Sequence, residues 1–203
     1  PCDEIWVAFS EPDQEFAVRD NGRGIPHDSL IRVFTSQHTS SNYDKKPGEF
    51  SSGRHGVGAK VTNACSEYFI VDSYILGVGK RAEFKLGDAS TAKLKDLPTV
   101  KDKQGSTVTF RPHVPTMGQT TVTCEDVLRL INSLVPLLKQ GAKINFIGEK
   151  TDGGKVKQTI INKDGLMDGL NAIIKKPIIT PIHFGALRDD KWMKAEIVFT
   201  FDS

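Results

Sequence analysis

Two glycine-rich segments hold the residues in this chain whose types and spacing could do chemistry. The first is Asp20-Asn21-Gly22-Arg23-Gly24-Ile25-Pro26 and the second is Gly53-Arg54-His55-Gly56-Val57-Gly58-Ala59-Lys60. In the first, a carboxylate at the end of a strand pattern is followed by flexible backbone. Asp20 can sit at the floor of a pocket and accept a hydrogen bond from an exocyclic amine such as adenine N6, because a partly buried carboxylate needs a donor. The glycines let backbone approach a flat base closely, and Ile25 and Pro26 offer that base an apolar wall. In the second segment, Gly56 and Gly58 can take backbone conformations closed to other residues. Successive N–H groups then converge where a following helix begins, which makes a phosphate cradle. Arg54 and Lys60 add formal positive charge beside it. A single glycine cluster is more often a turn than a ligand site, but the two in this order are far more specific. A P-loop is excluded because Gly-x-x-x-x-Gly-Lys-Ser/Thr occurs nowhere, and a dinucleotide-binding fingerprint fits poorly because Gly53-Arg54-His55-Gly56 follows a polar loop rather than a strand.

These segments need elements to position them. Ile5-Trp6-Val7-Ala8-Phe9 and Glu15-Phe16-Ala17-Val18-Arg19 are rich in branched and aromatic residues and flank the turn-like Glu11-Pro12-Asp13-Gln14, so they read as a β-hairpin that delivers Asp20. A short helix is expected over 28–34 with Asp28 as N-cap. Residues 35–52 hold few apolar side chains and read as a long mobile loop, a length that is usually functional. The second glycine segment opens a helix through Cys65. Residues 68–74, 81–86 and 107–110 read as strands of one sheet, and 89–103 as a surface connection. An amphipathic helix is expected over 125–139 despite Pro136 near its end, followed by a hairpin of 144–147 and 156–161 around Asp152-Gly153-Gly154. A further helix is expected over 165–175, stopped by Pro177, and a half-buried strand over 195–201.

Composition sets the frame. At 203 residues, 38% hydrophobic and 26% charged, the chain is long enough for one domain plus part of another. Its 27 basic and 25 acidic residues leave a net charge of only +2, so no general field attracts polyanions. Cys2, Cys65 and Cys124 lack metal-ligand spacing and are odd in number, which suits free thiols in a reducing compartment. No apolar run is long enough to span a bilayer and no signal-peptide pattern opens the chain, so membrane partners are not expected and an intracellular place is. Starting on Pro1 close to a strand pattern, the chain reads as a piece of something longer.

The two segments resemble known motifs. Asp20 to Pro26 resembles the adenine-binding motif of the GHKL ATPases, the superfamily of gyrase, heat-shock protein 90, histidine kinases and MutL. Its Arg23-Gly24-Ile25-Pro26 continuation resembles the type IIA DNA topoisomerases in particular. Ser52-Gly53-Arg54-His55-Gly56-Val57-Gly58 is similar to the bacterial gyrase B and ParE pattern, whereas Gly53-Arg54 with Ala59-Lys60 is nearer the eukaryotic topoisomerase II version. Thr39-Ser40-Ser41-Asn42-Tyr43-Asp44 resembles the eukaryotic lid, and Gly105-Ser106-Thr107-Val108-Thr109-Phe110 resembles the third family box. The blend fits a divergent lineage, viral or phage.

The resemblance implies a Bergerat-type α/β (α+β) two-layer sandwich, a mixed sheet covered on one face by helices, with ATP and Mg2+ as cofactors. By resemblance, Asp20 holds the adenine amine, with Asn21, Gly22 and Gly24 shaping the floor. Arg23 lies over or beside the base, or makes an ordinary surface salt bridge. Ser40, Ser41 and Asn42 contact ribose or phosphate, or belong to a solvated loop. Arg54 through Lys60 wrap the β- and γ-phosphates, with no acid–base role for His55. Ser106 bonds near the pocket, or is a plain strand-end serine. His27, His38, His113 and His183 are taken as structural or exposed.

The family's first motif, a helix with a catalytic glutamate and a magnesium-binding asparagine, is expected upstream, so no catalytic or metal residue is assigned here, and Asp3 and Glu4 are not promoted. Residues 1–178 are expected to be the ATP-binding domain and 179–203 the beginning of a transducer domain. The implied function is ATP-driven dimer closure that powers passage of one DNA duplex through another. Implied partners are DNA, a second copy and a cleavage domain or subunit, in the cytoplasm, nucleoid or nucleus. The rival readings are another GHKL clamp, of chaperone or mismatch-repair type, and a remnant that binds without turnover.

Overall fold

The computed structural model describes residues 2–36, 57–118, 121–171, 174–175, 178–187 and 194–201. Strands β1 (Glu4–Ser10) and β2 (Glu15–Asp20) form the expected hairpin, and Asp20 is the last residue of β2. They join β3 (Ser66–Ile75), β4 (Val78–Lys85), β5 (Asp88–Leu97), β6 (Gly105–Pro112), β7 (Lys143–Glu149) and β8 (Lys155–Ile161) in one eight-stranded sheet of order β5-β4-β3-β6-β2-β1-β7-β8. The sheet is mixed because β1 and β7 run parallel while its other neighbours are antiparallel.

Alternation along the strands sends one residue set to the helix-bearing face. On that face the register aligns Phe9, Phe16, Phe110, Phe69 and Phe84 across five strands, with ring centroids 4.5, 5.1, 6.2 and 6.2 Å apart in turn. Each such ring contributes about 1.5–3 kcal/mol when fully buried. The next row reads Val7, Val18, Val108, Val71 and Ala82.

Helices cover the two ends of this face. Helix α1 (Leu30–Thr35) places Leu30 and Phe34 on Phe69, Val71, Ala82 and Phe84. Helix α2 (Gly58–Ala64) locks to α1 through buried Asn63, whose Nδ2 donates to Phe34 O at 3.1 Å. After the short α3 (Val114–Met117), helix α4 (Cys124–Leu134) packs Cys124, Val127 and Ile131 against Phe9, Ile144 and Phe146. Thr123 and Asp126 form a reciprocal capping box at its start. Helix α5 (Leu166–Asn171) leads to a separate two-stranded antiparallel sheet of β9 (Ile182–Leu187) and β10 (Lys194–Phe199). Among the described residues no helix is long and apolar enough to cross a membrane, and all three cysteines are free thiols.

Four expectations change. The segment 89–103 is not merely a connection, since Asp88–Leu97 is edge strand β5. Its lysines and aspartates suit an unpaired edge but hide the strand signal. The two-residue turn before it, Leu86-Gly87, has positive φ at both positions, and so does Leu76-Gly77 between β3 and β4. Leucine there replaces the asparagine that normally marks such hairpins. Asp28 does not cap α1, because Ser29 is the N-cap and Asp28 Oδ1 instead accepts from Ser29 Oγ. The α-helix expected to reach 139 ends at Leu134, where Val135–Leu137 tightens to a 3-10 turn, Pro136 having no N–H to continue the ladder. Finally, α5 is shorter than the expected 165–175.

Candidate functional site

A third row on the helix-bearing face is polar at its centre. Ile5 pairs with Asp20, and Ser106 pairs with Ser73, with Asp20 and Ser106 joined by a side-chain hydrogen bond. Three adjacent strands, β2, β6 and β3, thus carry Asp20, Ser106 and Ser73 in line with the valine and phenylalanine rows. Val18 and Val108, directly behind this polar line, are half-buried. Val18 belongs to neither core cluster, one built under α1 and the other under α4. Apolar valines behind a carboxylate between two helix groups make a floor suited to a flat heterocycle with one polar edge.

The carboxylate is held from both sides. Asp20 Oδ1 accepts from Gly22 N at 2.7 Å, and Oδ2 accepts from Ser106 Oγ at 2.5 Å. Two oxygens offer about four lone-pair sites, so acceptor capacity remains for an incoming N–H. Local sequence makes this geometry possible. A Cβ on Gly22 would stand 2.7 Å from Asp20 Oδ1, and one on Gly105 would stand 2.1 Å from Asp20 O, with Gly105 at φ +109°. Either side chain would push the carboxylate or the two strands apart.

The rest of the first segment turns onto β3. Gly24, at φ +74°, lies so close that a Cβ would be 2.5 Å from Tyr74 O. Ser73 Oγ accepts from Ile25 N and donates to Ile25 O, each at 2.8 Å. Ile25 packs at the edge of the α1 core, while Pro26 and Arg23 are exposed. His27 Nε2 contacts Ser73 O at 3.2 Å and His113 Nδ1 contacts Thr116 Oγ1 at 2.8 Å, structural placements for both rings. The Asn21 amide faces the start of β1. Its Oδ1 accepts from Asp3 N and Glu4 N at 3.1 Å each, and its Nδ2 donates to Asp3 Oδ1 at 2.6 Å. Asn21 therefore anchors the strand beside the carboxylate rather than presenting its amide at the polar row.

In the second segment, Val57, Gly58, Ala59 and Lys60 begin α2, with Lys60 N and Val61 N bonded to Val57 O at 3.1 and 3.0 Å. Gly58 has ordinary helical backbone, and among the described residues a Cβ on it would meet nothing within 4 Å. The expectation that Gly58 takes a conformation closed to other residues is corrected accordingly: it stands in the first turn of α2 with helical backbone. His38, Ser40, Ser41, Asn42, Gly53, Arg54, His55 and Gly56 lie outside the described residues, as does most of the loop expected over 35–52. Among the described residues no group of three metal-binding side chains exists, and none is assigned to magnesium.

Val18, Val108 and Ser73 are the residues that motif reading passes over. Strand alternation could have found the valines, since Asp20 and Val18 are two apart, as are Ser106 and Val108. Ser73 has no such signal, because its loop partner lies far away in sequence.

A family model described as "Histidine kinase-, DNA gyrase B-, and HSP90-like ATPase" matches residues 1–116, which include both glycine segments and Ser106. The chain belongs to this ATPase family. Among relatives, the DNA gyrase B protein of Helicobacter pylori is 28% identical over 211 residues, covering 98% of this chain and 26% of that protein. The B-type subunit of DNA topoisomerase 4 from Mycoplasma pneumoniae is 29% identical over 218 residues, covering 98% of this chain and 33% of that protein. The crystal structure of the 43K ATPase domain of Thermus thermophilus gyrase B, in complex with an aminocoumarin, matches with a TM-score of 0.71 at 24% identity, over 92% of this chain and 48% of that one. This likeness establishes the fold, the Bergerat-type mixed sheet with helices on one face. The chain spans 26% and 33% of the length of the two curated relatives.

Proposed function

We propose that this chain is the ATP-binding part of a type IIA DNA topoisomerase of the gyrase B and ParE kind. The observation that carries the proposal is the Asp20 carboxylate, held by Gly22 N–H and the Ser106 hydroxyl over the Val18 and Val108 floor. An adenine amine would donate to Asp20, and the base would lie on the two valines with Ile25 at its edge. GTP presents a carbonyl oxygen where ATP presents that amine, so it would meet the carboxylate with like partial charge. The phosphates would extend toward the start of α2, where Val57 to Lys60 and the preceding Gly53, Arg54, His55 and Gly56 would wrap them. Ser40, Ser41 and Asn42 would close over the ribose and phosphates.

In the whole enzyme, ATP would bridge two copies and close a gate around DNA, and a cleavage domain or subunit would open the duplex to be crossed. Binding, not chemistry, would supply the conformational change. Magnesium would balance phosphate charge there, with its protein ligand and the general base supplied from outside the described residues. Residues 179–203 would begin the transducer, a reading supported by β9 and β10 forming a sheet apart from the main one.

The test is nucleotide titration of the chain with ATP and GTP, repeated on Asp20→Asn. ATP is expected to bind in preference to GTP. Asp20→Asn should weaken ATP by about tenfold to a hundredfold, since once the amide oxygen takes the Gly22 N–H its NH2 group would face the adenine amine donor to donor. Equal binding of the two nucleotides would sink the assignment.

A further inference from the structure

We propose that Ser73 is a positioning residue of the nucleotide site that sets adenine selectivity by locking the 21–26 loop onto the sheet; the inference rests on the ATP-site reading above. The side chain is 0% exposed and stands in the same row as Asp20 and Ser106, yet it lies in neither glycine segment. Its neighbours on that face of β3, Phe69 and Val71, are apolar core residues. A buried hydroxyl in their place costs free energy unless it is bonded. Here it is bonded twice to one residue 48 positions away, accepting from Ile25 N and donating to Ile25 O at 2.8 Å each. One side chain thereby satisfies both backbone groups of a loop residue that has no strand partner.

The consequence reaches the carboxylate. The loop is clamped at Gly22, whose N–H orients Asp20 Oδ1, and again at Ile25. Between them Gly24 runs against Tyr74 O and Ser73 Oγ, where a Cβ would stand 2.5 and 3.2 Å away. Freeing Ile25 leaves its N–H and C=O to seek water, which draws the loop off β3 and takes the Gly22 amide from Asp20. Ser73 then acts on adenine through the loop, without touching it.

The test titrates the chain, Ser73→Ala and Ser73→Thr with ATP and GTP well below their melting temperatures, and follows amide exchange at Ile25 and Val71. In Ser73→Ala, Ile25 exchange should rise by at least about tenfold with Val71 unchanged. ATP affinity should fall about fivefold to tenfold while GTP binding stays as it was, so selectivity shrinks by the same factor. Ser73→Thr, which keeps the hydroxyl, should restore both readouts. Should Ser73→Ala fail to fold, Ser73→Cys, slightly larger but with only a weak S–H donor and a weak acceptor, loosens both bonds and carries the same expectation. An unchanged ATP-to-GTP ratio in a folded variant, whatever its melting temperature, overturns the inference alone. Absence of adenine preference in the unaltered chain overturns the ATP reading, and this inference with it.

Discussion

Ser106 donates its hydroxyl to Asp20 Oδ2 at 2.5 Å, although 86 residues separate the two in sequence. The contact closes because β6 lies beside β2 and because Gly105 lets the start of β6 press against the Asp20 carbonyl. With Gly22 N–H on the other oxygen, the carboxylate is oriented before any ligand arrives. Under the proposed ATP reading, such preorganisation would lower the cost of binding, since neither the loop nor the side chain would have to be ordered afterwards.

Ser106→Ala removes one of the two groups that orient Asp20 and should weaken ATP by about threefold to tenfold, the size of a single hydrogen bond. Ser106→Thr should bind nearly as well as the unaltered chain. Titration calorimetry of the three proteins measures this, and equal affinity in all three would remove Ser106 from the site.

Two glycines should answer alanine in opposite ways. Gly105→Ala sets a methyl 2.1 Å from Asp20 O at a φ of +109°. It should destabilise the fold by about 2 kcal/mol or more, combining backbone strain with a collision that only strand movement relieves. Gly58→Ala meets no described atom within 4 Å at the start of a helix. Its effect on stability should lie between zero and a gain of about 1 kcal/mol. If the α2 start cradles phosphate, the same substitution should lower ATP affinity while leaving adenosine binding unchanged. Urea unfolding and nucleotide titration of both variants separate the two effects.

Glu11 should mark the acid limb of stability. Its Oε1 accepts from Cys124 N at 2.6 Å at the start of α4, and its Oε2 accepts from Thr151 N at 3.1 Å. The Cys124 amide first, and the Thr151 amide next, hold its pKa below the ordinary 4.5. A carboxylate whose pKa is lowered by folding stabilises the fold above its unfolded value, and that contribution is lost as pH falls through the folded value. Glu11→Gln should therefore be less stable than the unaltered chain near neutral pH, with the gap narrowing from about pH 4.5 downward. A gap in urea midpoints that stays constant with pH would remove Glu11 from this role.

The thiols should react in the order of their surroundings. Cys2 is exposed, Cys65 is intermediate and Cys124 is buried. Burial, with Glu11 close by, pushes the Cys124 pKa up to about 11. At neutral pH an aromatic disulfide reagent should label Cys2 quickly, Cys65 more slowly and Cys124 only on unfolding. Rapid labelling of Cys124 in the folded chain would mean that α4 opens readily from β7.

The sequence by itself determined the hairpin that delivers Asp20, the loss of regular structure after it and the helix that follows the second glycine segment. These are local matters: strand alternation, turn residues and glycine clusters act over a few positions, so they can be read in order along the chain. It also carried Asp20 and Ser106 as separate candidates, because each sits in its own short motif. Only the tertiary structure brought them together, aligned Val18 and Val108 behind them, and tied Ile25 to Ser73. Those pairings depend on strand order and register, and a one-residue slip would send every one of these side chains to the other face. The charged edge strand β5 and the leucine-glycine turns stayed hidden for the opposite reason, since their local composition argues against the conformation that pairing with β4 imposes.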